Sequence, residues 1–290
     1  MASRVMVATA CDEHHDALAG DLLASLNAIE GRDFAIGFVR MGAAPVPAAI
    51  AAIADAVVSV AADPDGPGPD EGFQVAYLGV KNRLPEFFPD FDTYVWVDGD
   101  AWVQNVAGLR QAVAAAQHAD FAAASETDGN YYRCLSPNDY ALHSYGRLYG
   151  HEEARRLTRV PMINSGVVAA RAGSPVWAEW SAALTEIRQR QAGKAARFFC
   201  DQIPLHRLMA IERLTLHPLR AVNNWLVLFA PPLVDMKGRL LRAPTVPFEE
   251  INILHLASTA KTNVYQLQDG SGRNVSFTYS GMRRLFDEGG

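Results

Sequence analysis

Cysteine is scarce in this chain: Cys11, Cys134 and Cys200 are the only three in 290 residues. An odd number at such wide spacing supplies neither a disulfide framework nor a CxxC metal site. Each reads as a small buried hydrophobe. No apolar run approaches the roughly 18 residues that a membrane-crossing helix requires, so no transmembrane segment is expected. Positive charge is also short. Lys and Arg number 26 against 32 Asp and Glu, a formal net charge of -6, which argues against a nucleic-acid partner because phosphate neutralisation needs a basic surface. Met1-Ala2-Ser3-Arg4-Val5 leads through a short apolar segment into Asp12-Glu13-His14-His15. A secretory signal has a longer apolar region and a small-residue cleavage site, so the expected location is cytoplasmic. No internal repeat is visible.

What is present is a globular composition, 49% hydrophobic and 20% charged, with ample material for a core. Arg4–Ala10 reads as a buried opening strand. Leu18, Leu22, Leu26 and Ile29 recur at helical spacing behind it. Phe34–Val39 and Ala56–Ala61 read as further strands, with an Ala-rich helix around Pro47–Ala54 between them. Such alternation implies a parallel sheet with right-handed crossovers. Asp63 to Asp70 is a turn-rich loop, and a helix is expected over Gln74–Phe88. The strand Thr93–Val97 follows, then a helix near Val106–Gln117, a strand Phe121–Ala124 and a loop with four tyrosines between Tyr131 and Tyr145. Val160–Ala170 reads as a strand, Pro175–Gln191 as a helix, and Ile251–His255 as a late strand. The whole is an α/β fold with one continuous sheet, its front half suited to a nucleotide and its back half to an acceptor.

The strand Thr93–Val97 ends abruptly at Asp98-Gly99-Asp100. Two carboxylates two places apart, at the turn after a buried strand, are able to converge on one hard cation. Carboxyl ends of parallel strands are also where open α/β sheets bind ligands. The bland reading is an acidic turn, since Asp-Gly is a common turn dipeptide. A strand followed by this triplet also opens haloacid-dehalogenase-type phosphatases, but there it sits on the first strand and continues with Thr or Val where this chain has Trp102. His255 ends a late apolar strand and Lys261 stands six places on. Imidazole suits manganese as well as zinc, and a lysine offers a diphosphate a compact point charge. A lone His after such a strand is otherwise an ordinary structural residue.

His255, Ser258 and Lys261 stand at the spacing of a late motif in glycosyltransferase family eight, a GT-A-fold family that includes glycogenin and bacterial lipopolysaccharide galactosyltransferases. The family has Gly where this chain has Ser258, and Pro-Trp where it has Thr262-Asn263. Thr9-Ala10-Cys11-Asp12-Glu13 resembles the end of the family's first strand, with His14-His15 in place of Asn-Tyr. Lys81 matches the family's donor-binding basic residue, with Arg83 as competitor. Asn164-Ser165-Gly166, Asp201-Gln202 and Asn223-Asn224-Trp225 resemble later family segments, so the likeness extends from about residue 4 to 262. From residues alone, Asn164-Ser165-Gly166 also reads as a strand bulge and Asp201 as a helix N-cap.

The resemblance implies a GT-A catalytic domain over 1–265, a Rossmann-like open mixed sheet, mostly parallel and flanked by helices, with a C-terminal tail over 266–290. Asp98, Asp100 and His255 would hold Mn²⁺ (or Mg²⁺) on the diphosphate of a UDP-sugar. Thr9, Asp12, Lys81, Asn164, Ser258 and Lys261 would bind the nucleotide sugar, and Asp201 and Gln202 would serve catalysis. The hexose would pass to a sugar or other hydroxyl acceptor with retention, Gln202 acting as a polar stabiliser in a same-face attack. Glu126 or Asp128 is expected to touch the donor sugar. A sugar nucleotidyltransferase is the rival enzyme reading, although its usual Gly-rich basic loop after the first strand is missing. A non-catalytic nucleotide-sugar-binding module is the other. Arg283-Arg284 reads as a solvated helix face, with contact to an anionic membrane as the alternative.

Overall fold

Successive residues of a strand point to opposite faces of its sheet, and the central strands here bury both. Along Thr93–Val97 all five residues are buried. Val95 and Val97 join one core cluster with Val7, Leu22 and Leu26, while Tyr94 and Trp96 join another with Met6, Ala8 and Trp180. The computed structural model describes residues 3–61, 79–131, 139–191, 200–211, 213–267 and 272–288.

The strands in chain order are Val5–Cys11 (β1), Ala35–Met41 (β2), Ala56–Val60 (β3), Thr93–Val97 (β4), Ala101–Val103 (β5), Phe121–Ser125 (β6), Ile163–Arg171 (β7) and Leu216–Leu219 (β8). They continue with Trp225–Leu226 (β9), Leu233–Asp235 (β10), Leu240–Arg242 (β11) and Ile253–His255 (β12). Seven form one sheet in the order β3-β2-β1-β4-β7-β6-β8. Only β7 runs antiparallel to its neighbours, so the sheet is mixed and mostly parallel, with helices such as Asp16–Asn27, Ala107–Ala115 and Val176–Gln191 against it.

The expected single continuous sheet is not what forms. β5, β12 and β9 make a separate three-stranded sheet in the order β5-β12-β9. It carries His255 and packs through Trp102, Trp225 and Leu254 into a third core cluster. The chain leaves the main sheet at Gly99, and three residues of β5 are too short a strand to show in hydrophobic patterning.

Other expectations change in detail. The helix around Pro47–Ala54 covers only Ala48–Ala51. The turn-rich segment 63–70 and the start of the helix expected at Gln74 lie outside the described residues. From Lys81 a 3-10 turn runs into the short helix Leu84–Phe87. The tyrosine segment is partly helical, Asp139–Tyr149, and Tyr132 and Cys134 lie outside the described residues. Tyr131 packs on Trp225 with centroids 5.2 Å apart, and Tyr145 stacks on His206 at 5.4 Å. Both tyrosines are buried, so they belong to packing rather than to an acceptor platform. The residues expected as a tail include the helix Tyr279–Glu288, which lays Met282, Leu285 and Phe286 into the third cluster. Arg283 and Arg284 lie on its exposed face. No helix among the described residues is long and apolar enough to cross a membrane.

Candidate active site

The Asp98-Gly99-Asp100 turn closes between the two sheets. The Asp98 N–H donates to the Gly166 carbonyl on β7 at 2.8 Å, and the Leu256 N–H donates to the Asp100 carbonyl at 2.9 Å. β5 pairs antiparallel with β12 so that His255 lies opposite Ala101, the residue after Asp100. That register brings the imidazole to the acids. His255 Nε2 is 3.2 Å from Asp100 Oδ1 and 3.7 Å from Asp98 Oδ2. One ligand atom from each of Asp98, Asp100 and His255 lies within 4.8 Å of the others. Gly99 has a packing reason as well, since a Cβ there would sit 3.1 Å from the Ala10 carbonyl.

Residues behind His255 fix which nitrogen faces the acids. Its Nδ1 is 3.0 Å from Asn224 Oδ1, and Asn224 Nδ2 donates to Asn164 Oδ1 at 2.8 Å. Asn224 therefore presents its oxygen to the ring, Nδ1 carries a hydrogen, and Nε2 points at the carboxylates. Anchoring the far nitrogen is how metal-binding histidines are commonly oriented. Two carboxylates and one oriented imidazole fit a divalent cation of the manganese or magnesium type.

Two lysines flank the acids. Lys81 Nζ bridges Asp98 Oδ1 and Asp201 Oδ2, both at 2.8 Å, and Lys261 Nζ meets Asp100 Oδ2 at 2.9 Å. Trp96 Nε1 also donates to Asp98 Oδ1 at 2.6 Å. Burial works against the Lys81 charge, but Asp201 and then Asp98 outweigh it and hold the ammonium above its ordinary range. Burial likewise opposes ionisation of Asp100, yet His255 and Lys261 hold its carboxyl well below the usual carboxylate range. For His255 burial opposes the charge, and Asp100 followed by Asp98 raises its pKa.

No protein-family model matches the chain, and no curated protein does. Solved structures do. The galactosyltransferase LgtC in complex with donor and acceptor sugar analogs matches with a TM-score of 0.56 over 98% of this chain and 95% of that one, at 12% sequence identity. A structure of an active-site mutant of LgtC matches to the same extent. The chain has the GT-A glycosyltransferase fold.

Within that GT-A frame the remaining expected residues fall in three places. Thr9 and Asp12 lie at the carboxyl end of β1 and are both buried. Asp12 Oδ1 caps the turn Glu13–His15 by accepting from the His15 N–H at 3.0 Å. Thr9 Oγ1 and Asp12 Oδ2 are buried with no hydrogen-bond partner among the described residues. Ser258 opens the turn Ser258–Lys261 with φ of 56°. That is the left-handed region favouring glycine, which accounts for a Gly at the matching place in family eight. Lys81, not Arg83, enters the site; Arg83 pairs with Glu86 on the exposed side.

The third place is β7. Asn164-Ser165-Gly166 does form a bulge, because β6 pairs Ala123 with Val168 but Ala124 with Asn164. The bulge also shapes the surroundings of His255 and Gln202. Gly166 leaves room for the His255 ring, Asn164 holds Asn224, and the Ser165 N–H donates to Gln202 Oε1 at 3.0 Å. Asp201 precedes the helix Gln202–Ala210, but its side chain makes no capping bond and goes to Lys81 instead. Glu126 accepts from Asn164 Nδ2 at 2.9 Å and Gln202 Nε2 at 3.0 Å. Burial raises its carboxyl pKa, with those two amides pulling the other way.

Arg40 and the positioning role of Asn224 were not foreseen from the sequence. Arg40 is fully buried at the end of β2, where its Nη2 meets Asp16 Oδ1 at 2.6 Å. Nothing in the pattern Ala35–Met41 marks it as more than an exposed strand residue.

Proposed function

We propose that this protein transfers a hexosyl group from a UDP-sugar to an acceptor hydroxyl, using Mn²⁺ or Mg²⁺ held by Asp98, Asp100 and His255. The observation that carries this reading is the convergence of those three side chains within 4.8 Å of one another, flanked by Lys81 and Lys261, in a GT-A fold. A bound divalent cation supplies Lewis-acid neutralisation of the diphosphate.

The chain's own groups do the rest. Lys261 turns from Asp100 toward the diphosphate and meets charge that grows as the glycosidic bond breaks. Lys81, held between Asp98 and Asp201, orients the phosphate or sugar region of the donor. Asp12 Oδ2 and Thr9 Oγ1, both without a hydrogen-bond partner among the described residues, suit the polar edge of the base. Ser258 shapes the backbone of the diphosphate loop, and Asn164 helps to line the sugar end. Asp201 orients the donor sugar.

Similarity to family eight supports retention, by attack of the acceptor on the face from which the nucleotide leaves, with Asp201 and Gln202 beside the reacting sugar. Asp12 opens a tight capped turn rather than a Gly-rich basic loop, which disfavours nucleotidyl transfer. Incubation with UDP-hexoses and Mn²⁺ tests the proposal. UDP release that stops on chelation and resumes with added cation is the expected result. Pyrophosphate from UTP and a sugar phosphate, with no release from UDP-hexoses, would assign the site to nucleotidyl transfer instead.

A further inference from the structure

A cavity of about 430 Å³, within the size range of small-molecule sites, shares no residue with the Asp98, Asp100 and His255 cluster. It is lined by Tyr149, Glu153, Arg156, Arg190, Arg207 and Ile211. Its walls come from the helices Asp139–Tyr149, His151–Leu157, Val176–Gln191 and Gln202–Ala210. The Arg207 and Arg190 guanidiniums lie 4.8 and 5.7 Å from the centroid of the Tyr149 ring, so one aromatic side chain anchors both. Arg207 follows Gln202 on the same helix but stands about 140° round it at 3.6 residues per turn. The cavity therefore meets a different face of that helix from the one that carries Gln202.

The three arginines are not equally engaged. Arg190 is satisfied by Glu186, whose Oε1 lies 2.6 Å from Nη2 and 2.8 Å from Nε. Arg207 Nε donates to Glu153 Oε1 at 3.3 Å, and its Nη1 is 3.9 Å from Glu186 Oε2. Arg156 Nη1 is 3.8 Å from Glu153 Oε2. Those last contacts are long against the roughly 2.7–2.9 Å of a charge-assisted bond. Water does not account for Arg207, because its side chain is only 23% exposed. Among the described residues, three guanidiniums thus meet two carboxylates, Glu153 and Glu186, and one positive charge is left unmatched on a chain of net charge -6. A network that served only to tie these helices together would match its charges and close its contacts.

The donors and acceptors on offer define the ligand. One unmatched positive charge calls for a monoanion, and a guanidinium fork matches a planar carboxylate with two parallel bonds. Each guanidinium carries five N–H donors, so Arg156 and Arg207 keep donors to give. Carboxylate oxygens such as those of Glu153 only accept, which suits hydroxyl groups. We infer that this cavity binds a polyhydroxylated carboxylic acid, a sugar acid of the hexuronate kind, with Arg207 and Arg156 on its carboxylate and Glu153 on a hydroxyl. The inference is independent of the reading of the cation site.

The test is ligand-detected NMR titration of the full-length protein with glucuronate, its methyl glycoside, glucose and inorganic phosphate, for wild type, Arg207→Gln and Arg156→Gln, with thermal melting of each. Wild type is expected to bind glucuronate saturably with Kd about 1 mM, the scale for a ligand of this size, and more weakly as salt is raised. Glucose, which lacks the carboxylate, should bind at least about tenfold more weakly, and phosphate should not bind more tightly than glucuronate. Each variant should lose about tenfold or more in glucuronate affinity, the range for a hydrogen bond to a charged group, and UDP·Mn²⁺ should not displace the sugar acid. Equal binding of the methyl glycoside assigns the ligand to a unit of a longer glycan, and its loss assigns the free acid. No saturation of wild type by about 20 mM glucuronate, twenty times the expected Kd, overturns the inference. So does wild-type affinity in both variants, tighter binding of phosphate, or displacement by UDP·Mn²⁺. Should Arg207→Gln melt far below wild type, Arg156→Gln decides, since that side chain is 68% exposed: reduced glucuronate affinity supports the site, and unchanged affinity removes it.

Discussion

Gly166→Ala probes the cation site without replacing any proposed ligand. A Cβ at this position would lie 2.3 Å from His255 Cε1, 2.4 Å from His255 Nδ1 and 2.8 Å from Asn164 Oδ1. Non-bonded carbons are comfortable from about 3.5 Å, so the ring must retreat by about 1 Å. The backbone of His255 cannot simply follow, because β12 is paired on one side with β5 and on the other with β9. The retreat must then be taken up by the side chain, at the expense of the 3.0 Å contact with Asn224. Forcing a methyl into a packed site costs about 1–3 kcal/mol. Disturbing the partners that orient a ligand commonly costs about 10–100-fold in metal affinity. Calorimetric titration of Mn²⁺ in the presence of UDP, with a melting curve on the same sample, should show both effects. Wild-type Mn²⁺ affinity in Gly166→Ala would refute the placement of His255 at the cation site.

Three further outcomes follow from the same geometry. Lys261→Ala should reduce UDP release by about 10²–10³-fold, and Lys261→Arg should rescue only partly because a planar fork replaces a compact ammonium; equal rates would remove Lys261 from the site. His206 is buried against Tyr145, and burial pushes its pKa down to about 4 from 6.5, so the unfolded chain binds its proton first as pH falls. That contribution to stability is complete above pH 6.5 and is lost between 6.5 and about 4, on the order of 3 kcal/mol in all; melting temperatures across that range should fall less steeply in His206→Gln, and parallel curves would contradict it. Asp16→Ala should destabilise by about 3 kcal/mol, the low end for a broken buried pair since Asp16 keeps some solvent contact, because it strands the buried Arg40 charge; chemical denaturation measures it, and a change under about 0.5 kcal/mol would show that Arg40 is otherwise satisfied.

Much of the fold was legible where strands are internal. Thr93–Val97 is apolar on both faces, and its bounds in the structure coincide with the sequence reading. The acid triplet stood out because it interrupts that strand. β5 did not, since its three residues gain stability from pairing with β12 some 150 positions away rather than from any local pattern. The contact by which Asn224 orients His255 was invisible for a related reason. It joins residues 31 positions apart, and an Asn has no periodicity to betray it. The helix Tyr279–Glu288 was different: Met282, Leu285 and Phe286 stand at helical spacing, although the likeness to the family's motifs ends before them. Gly166 read as a bulge and is one, but only the third dimension shows that the space it leaves is filled by an imidazole.

The central claim is that Asp98, Asp100 and His255 bind a cation that in turn binds a nucleoside diphosphate. Titration calorimetry with UDP, with and without Mn²⁺, on wild type and Asp100→Ala tests it most directly. The account predicts UDP binding that depends on Mn²⁺ in the wild type and is lost in Asp100→Ala, with melting of the variant close to wild type. UDP affinity that ignores both Mn²⁺ and the substitution would contradict it.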